Sequence, residues 1–175
     1  MQRARTGVLC LTFAGCLLLA AADAVATGVG DKVTLSLQEN PVQIARAEID
    51  TAVESIDVVV YKFDERVLRK ALERAIKRGV RVRIVADFDE ARSKGSEVQR
   101  VQRAGARVAL WRRGKLHAKF TIIDGKRVLT GSYNWTASAS ESNVELLVDL
   151  GNPDDVKQFE QAFETLWGIA SGQGG

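Results

Sequence analysis

Apolar and polar residues alternate over positions 33–37, a period of two that predicts a β-strand. Pro41 then opens a stretch to about Glu54 in which Val42, Ala45, Ile49 and Val53 recur at helical spacing. The β-branched run 56–61 predicts a buried strand. A helix capped by Asp64 follows to about Arg78, with Val67, Leu68, Leu72 and Ile76 facing inward and Gly79 as its stop. Positions 80–86 form the next strand. Strand, helix and strand joined by short links imply parallel pairing with a helix packed across the sheet.

The second half reads differently. A short helix over 96–104 ends at Gly105, and a strand follows over 107–111. Two apolar strands, 120–123 and 127–131, flank Asp124-Gly125, a strong hairpin signal. A last strand spans 144–150. Asp154, after Pro153, caps a final helix to about Trp167 whose apolar face carries Val156, Phe159, Phe163 and Leu166. No period repeats. The pattern predicts an α/β fold of mixed α+β character, with parallel and antiparallel strands in one sheet.

The amino terminus departs from this pattern. Arg3 and Arg5 precede an apolar run over 7–22, and Ala22-Asp23-Ala24 and Ala24-Val25-Ala26 both fit a small-x-small cleavage site. Residues 1–26 therefore read as a secretory signal peptide and 27–175 as one domain, periplasmic or secreted. The alternatives are an uncleaved membrane anchor, for which the run is short, and a lipid anchor at Cys16. Both cysteines, Cys10 and Cys16, lie in this leader, so the remainder offers no disulfide, thiol nucleophile or thiolate metal site. About 150 residues bury roughly two thirds of their unfolded surface without such a staple. The net charge of +3 is too mild for a histone-like coat, and aromatics at 6% argue against a surface built on base stacking.

One histidine stands in the whole chain, His117, within Lys115-Leu116-His117-Ala118-Lys119. On a strand, residues two apart share a face, which unites His117 with Lys119. A two-residue turn at Asp124-Gly125 closes on Ile123 and Lys126, setting His117 opposite Ser132 and Lys119 opposite Thr130, with Asn134 on the face of Ser132. Lys119 supplies charge, Ser132 and Asn134 supply donors, and His117 supplies a nitrogen that attacks or carries a proton near neutral pH. Such a group suits an anionic tetrahedral centre. Singly, Ser132 and Asn134 are equally well read as turn residues after Gly131.

His117-x-Lys119-x4-Asp124 followed by Gly131-Ser132-x-Asn134 resembles the signature of the phospholipase D superfamily. The likeness is nearest to its small single-motif bacterial endonucleases and extends to the mitochondrial cardiolipin hydrolase and nuclease relatives. It covers roughly 38–167. It implies a single-domain mixed sheet of about seven to eight strands flanked by helices on both faces. It also implies that His117 is a nucleophile forming a covalent phosphohistidine, and that Lys119, Ser132 and Asn134 bind the phosphate. Glu145 matches the buried carboxylate that hydrogen-bonds and orients the histidine. Asp124 matches the motif's aspartate; its opposite strand parity makes it structural, as a plain turn residue or an ion-pair partner, with Gly131 as further support.

A covalent route needs one group to attack phosphorus and another to protonate the leaving oxygen and later activate water. A single histidine cannot stand on both sides of an in-line displacement. The economical arrangement is a homodimer with His117 of each subunit facing the other across a two-fold axis, and Lys119 and its mate clamping the phosphoryl oxygens. No cofactor or metal is called for. The acidic group Asp87, Asp89 and Glu90 reads as a solvated loop, with a Mg²⁺ site as the weaker alternative.

Trp111, Arg112, Arg113 and Lys115 run into His117 as candidate substrate contacts, with Arg92, Lys94, Arg100, Arg103, Lys126 and Arg127 as further charge. Basic residues beside a phosphodiester site suit a nucleic-acid backbone, DNA first and RNA second. They equally suit an anionic lipid headgroup, so phosphatidylcholine or cardiolipin cleavage to phosphatidic acid is the alternative. Trp111 is open to base stacking or to a core or interface role.

Overall fold

A computed structural model describes residues 31–172, so the expected leader and its cleavage site lie outside the described residues. Seven strands form one sheet in the order β1-β7-β6-β5-β2-β3-β4. They are β1 (Lys32–Leu35), β2 (Ser55–Val60), β3 (Arg81–Asp87), β4 (Arg107–Trp111), β5 (Phe120–Ile123), β6 (Arg127–Gly131) and β7 (Leu146–Leu150). The pairs β2–β3 and β3–β4 are parallel and the rest antiparallel. Helices α1 (Pro41–Thr51), α2 (Arg66–Lys77), α3 (Phe88–Arg92), α4 (Val98–Arg103), α5 (Ala137–Glu141) and α6 (Pro153–Ala170) complete the chain.

The largely buried β2 and β3 show why the sheet is covered twice. Ile56, Val58, Val60, Val82 and Ile84 enter one core with Ile49, Leu68 and Leu72 of α1 and α2. Val59 and Val85 point the other way, into a second core with Val156, Phe163 and Trp167 of α6. Arg83, buried between two layers, donates to Asp57 at 2.7 Å and to Glu164 at 2.7 Å while its guanidinium lies 4.6 Å from the Phe163 ring centre. That pairing lets a charge sit under α6 without an unsatisfied group.

Several boundaries differ from the sequence expectation, each for a local reason. Asp64 does not cap α2; it accepts the Ala137 N–H at 3.0 Å, and Glu65 caps instead by accepting from Val67 at 2.9 Å. Asn152, not Asp154, caps α6, accepting the Asp154 N–H at 2.9 Å with Pro153 at the first helical position. Helix α1 stops at Thr51, and Val53 is exposed, because Asp124 takes the next amides. Its carboxylate accepts from Val53 at 3.0 Å, Glu54 at 2.8 Å and Ser55 at 2.9 Å. Asp124 thus clasps three backbone amides, which neither a plain turn residue nor an ion-pair partner would do.

The hairpin is present with its register moved by one. Asp124 and Gly125 both have positive φ, and Lys126 N–H closes on Ile123 at 2.9 Å, which is a type I′ turn. Beyond it Ile123 pairs with Arg127 and Phe120 with Thr130, so Lys126 is left out of the ladder. The expected pairings of Lys119 with Thr130 and of His117 with Ser132 therefore do not form.

Burial pushes the Asp124 carboxyl up, but the three amides, with Lys126 nearby, outweigh it and hold its pKa below the ordinary value. A depressed carboxylate contributes stability above its unfolded pKa of about 3.9 and loses it as pH falls through the folded value. Asp124→Asn keeps a residue tolerant of positive φ and one acceptor oxygen for Glu54 and Ser55, and removes the charge and the second oxygen that accepts from Val53. It is expected to cost about 1–2 kcal/mol in urea unfolding at pH 7, a difference that shrinks as the pH is lowered below about 4.

Candidate active site

All of the carboxyl ends of the parallel strands lie on one edge of the sheet, and the antiparallel strands bring their own site residues to the same edge. Val59 pairs with Phe120, Phe120 with Thr130, and Gly131 with Leu147. Hence Tyr61 after β2, Asp87 at the end of β3, His117 and Lys119 before β5, Ser132 after β6 and Glu145 before β7 share this rim. Strand β7 begins at Leu146, which leaves Glu145 just ahead of the ladder, buried.

His117 and Lys119 stand on an irregular segment, 112–119, and not on a strand. They nevertheless meet. The Lys119 ammonium is 3.4 Å from His117 Nδ1 and 3.5 Å from Nε2, and it donates to the His117 carbonyl at 2.8 Å. Thr130 donates to the Lys119 carbonyl at 2.9 Å, tying the segment to β6. The imidazole is exposed on its other side, as an attacking nitrogen must be. Burial lowers the Lys119 pKa, and the Glu145 charge works against that shift.

Ser132 donates to Glu145 Oε2, and Asn143 donates to Oε1 at 2.9 Å. Within the chain, among the described residues, no hydrogen bond joins Glu145 to His117, and the carboxylate is held by Ser132 and Asn143. Ser36 adds support from β1's end, accepting the Glu145 N–H at 2.9 Å. Gly131 makes this possible. Its φ is 138°, and a Cβ there would meet the Leu146 carbonyl oxygen at 2.1 Å, so only glycine lets β6 approach β7 closely enough to aim Ser132. The Asn134 side-chain oxygen is buried without a hydrogen-bond partner among the described residues.

Arg112, Arg113 and Lys115 are exposed on the approach to His117. Arg112 stacks 3.7 Å over the Phe88 ring, and Trp111 packs partly into the α6-side core and donates to the Arg113 carbonyl at 3.0 Å. A groove of about 580 Å³ runs beside them, lined by Tyr61, Phe88, Trp111, Arg112 and Lys115 together with Asp89 and Glu90. Lys126 and Arg127 do not join this surface. They sit at the far end of the hairpin, where Arg127 pairs with Asp149 and Glu48. Arg100 is likewise occupied by Glu97 at 2.7 Å.

Tyr61 and Asp87 were not among the expected site residues. The Tyr61 ring centre is 4.8 Å from that of His117, with Lys115 and Lys119 ammonium groups 5.3 and 5.7 Å from it. Asp87 is buried, not part of a solvated loop, and helix α3 begins directly after it. The signal available in sequence was positional: both residues close apolar strands whose carboxyl ends face a crevice.

Because the Glu145 charge opposes the lowering of the Lys119 pKa, Glu145→Gln is expected to lower it further. The alkaline limb of the pH–rate profile should move to lower pH, and the Lys119 side-chain nitrogen signal in NMR titration should move with it.

The family described as cardiolipin synthase, PLD-like domain, matches residues 45–167. The mitochondrial cardiolipin hydrolase of Xenopus tropicalis is 37% identical over 114 residues, covering 65% of this chain and 54% of the relative. That of Chlamydomonas reinhardtii is 33% identical over 120 residues, covering 68% and 54%. The chain thus matches about half the length of these curated relatives. Among solved structures, the phospholipase D family member Nuc from Salmonella typhimurium superposes with a TM-score of 0.74 at 29% identity, over 79% of this chain and 93% of that one. NucT from Helicobacter pylori shares the fold, with a TM-score of 0.71 at 23% identity, over 78% and 96%. Strand order, the Lys119–His117 contact, the Gly131–Ser132 approach and the family match agree: the chain belongs to the phospholipase D superfamily of phosphodiester hydrolases.

Proposed function

We propose that the protein hydrolyses phosphodiester bonds through a phosphohistidine on His117, acting as a secreted or periplasmic endonuclease of low sequence preference. The observation that carries this reading is the exposed imidazole held 3.4 Å from a lysine whose charge is available to a phosphate. The His117 nitrogen attacks phosphorus and the P–O bond to the leaving group breaks. The leaving oxygen takes a proton from His117 of a second subunit. That second imidazole, now neutral, removes a proton from water, whose oxygen attacks phosphorus, and the P–N bond breaks to release the phosphate product. Lys119 and the side-chain amide of Asn134 hold the phosphoryl oxygens while charge builds on them, and Ser132, whose proton goes to Glu145, sits beside them. Glu145 keeps Ser132 aimed and supplies the negative charge that helps keep half-buried Lys119 protonated.

A second subunit is supported by the surface beside the site. Directly paired residues of antiparallel strands share a face, so Val33 and Leu35 of β1 line up with Val148 and Leu146 of β7 beyond the reach of α6. Val33 is 63% exposed, and Leu37 and Val144, at 76% and 63%, extend the strip toward Glu145. A contiguous apolar strip at the rim of a polar site is where a symmetric partner would bury surface and bring its histidine close.

Arg112 and Lys115, which line the groove, and the exposed Arg113 between them in the chain favour a nucleic-acid strand. A phospholipid is the second reading. The relatives named as mitochondrial cardiolipin hydrolases favour it, and the apolar strip at the site rim would equally meet acyl chains. Among the described residues no helix is long and apolar enough to cross a membrane.

His117→Ala is expected to abolish cleavage, with the fall exceeding about 10⁴-fold, while the circular dichroism spectrum is retained. Plasmid nicking and phosphatidylcholine or cardiolipin hydrolysis, run side by side in EDTA, separate the substrates. Nicking that persists in EDTA supports the nuclease, lipid turnover alone supports the second reading, and loss of all turnover in EDTA contradicts the metal-free route. Sedimentation of the active species should give twice the chain mass.

A further inference from the structure

Segment 112–119 has an unusual task. It leaves β4, the last strand at one edge, and must reach β5, which lies beyond β3 and β2 in the sheet order. It makes no strand ladder of its own over that distance. It therefore crosses the carboxyl ends of β3 and β2 in turn, and each of those ends carries a side chain that engages it.

At β3 the engaging residue is Asp87, 5% exposed. One oxygen accepts the Asp89 and Glu90 amides at 3.1 and 3.2 Å, fixing the start of α3. The other accepts the Leu116 N–H at 2.9 Å, one residue before His117. Leu116 itself is buried in the α6-side core, so that bond pins a point from which His117 projects. At β2 the engaging residue is Tyr61. Its ring lies 4.8 Å from the imidazole at an interplanar angle of 60°, and its face attracts the Lys115 and Lys119 ammonium groups. Tyr61 and Lys119 both lie against the His117 ring.

We infer that Asp87 and Tyr61 are positioning residues that seat His117 for attack. Asp87 fixes the backbone before it, and Tyr61 fixes the ring plane and holds Lys119 beside it. Neither touches substrate in this role. The inference rests on His117 being the reacting group, but the seating itself is a property of the free protein.

The test uses the full chain and four variants. Asp87→Asn keeps one acceptor oxygen and turns the other toward donor character, so a cap on α3 survives at the cost of the Leu116 bond. Tyr61→Leu removes the ring, and Tyr61→Phe restores it; His117→Ala identifies the histidine signals. The chain has one histidine, so its imidazole resonances are unambiguous in NMR of untagged protein. Asp87→Asn should speed amide exchange at Leu116 and shift the His117 ring signals, and Tyr61→Leu should remove the ring-current contribution to them. Each should lower kcat by about 10- to 100-fold, with KM held within about twofold, as expected when orientation rather than binding is lost. Tyr61→Phe should regain both the ring signals and most of kcat. Wild-type His117 signals and kcat in Tyr61→Leu would overturn the inference for Tyr61. The same result in a folded Asp87→Asn, or unchanged Leu116 exchange, would overturn it for Asp87. If Asp87→Asn does not fold, Leu116 exchange in Asp87→Glu decides: exchange as slow as wild type despite the displaced carboxylate would overturn the bond's role. Because the NMR readouts need no substrate, they remain decisive even if the wild-type protein cleaves neither DNA nor phospholipid, an outcome that would sink the proposed function alone.

Discussion

His117, the proposed nucleophile, is carried by backbone that no strand ladder holds. A chain leaving the edge strand β4 for the interior strand β5 has to pass over two strand ends, and regular pairing is impossible along the way. Such a crossing is costly in conformational entropy unless other groups fix it. Here the fixing groups are few: the Asp87 carboxylate on Leu116, the Tyr61 ring on His117, and the Thr130 hydroxyl on the Lys119 carbonyl. Crossing also has a benefit for chemistry. It lifts the imidazole clear of the sheet, with one side exposed, while Leu116 and Phe120 on either side remain buried.

The rest of the rim solves a different problem, how to keep a lysine charged while half-burying it. Desolvation favours the neutral amine, and a nearby carboxylate favours the ammonium. Glu145 provides that carboxylate and is itself desolvated, so its oxygens need donors. Ser132 and Asn143 provide them. The Ser132 position in turn depends on the absence of a side chain at Gly131, where the Leu146 carbonyl fills the space a Cβ would need. A motif that reads in sequence as glycine, serine and a later glutamate is therefore one connected device, with Lys119 as the group it serves.

Much of the fold was legible because its signals are local. The β-branched runs, the helical stripes and Asp-Gly at the hairpin tip each depend on residues a few positions apart. The failures arose where a distant group decided the outcome. Helix α1 ends early because Asp124, some seventy residues on, claims the amides of Val53, Glu54 and Ser55. Helix α2 starts late because Asp64 is engaged with Ala137. The candidate site residues His117, Lys119 and Ser132 stand out by type and spacing, and Glu145 by the family resemblance, yet strand alternation is not what brings His117 to Lys119. Lys126 drops out of the ladder and moves the register by one, and the two residues meet through the loop. Asp87 was hidden by its neighbours: beside Asp89 and Glu90 it looks like surface charge, and only the fold shows its carboxylate buried against backbone amides.

In the proposed reaction these relations serve one event, the formation of a bond between an imidazole nitrogen and phosphorus. Mixing the protein with a cleavable phosphodiester for a time short of one turnover, quenching in alkali and mapping the added mass by peptide analysis tests it directly. A phosphorus-bearing adduct confined to His117, formed no more slowly than product, is the predicted result. Full turnover with no adduct on His117 at any time point would contradict the account.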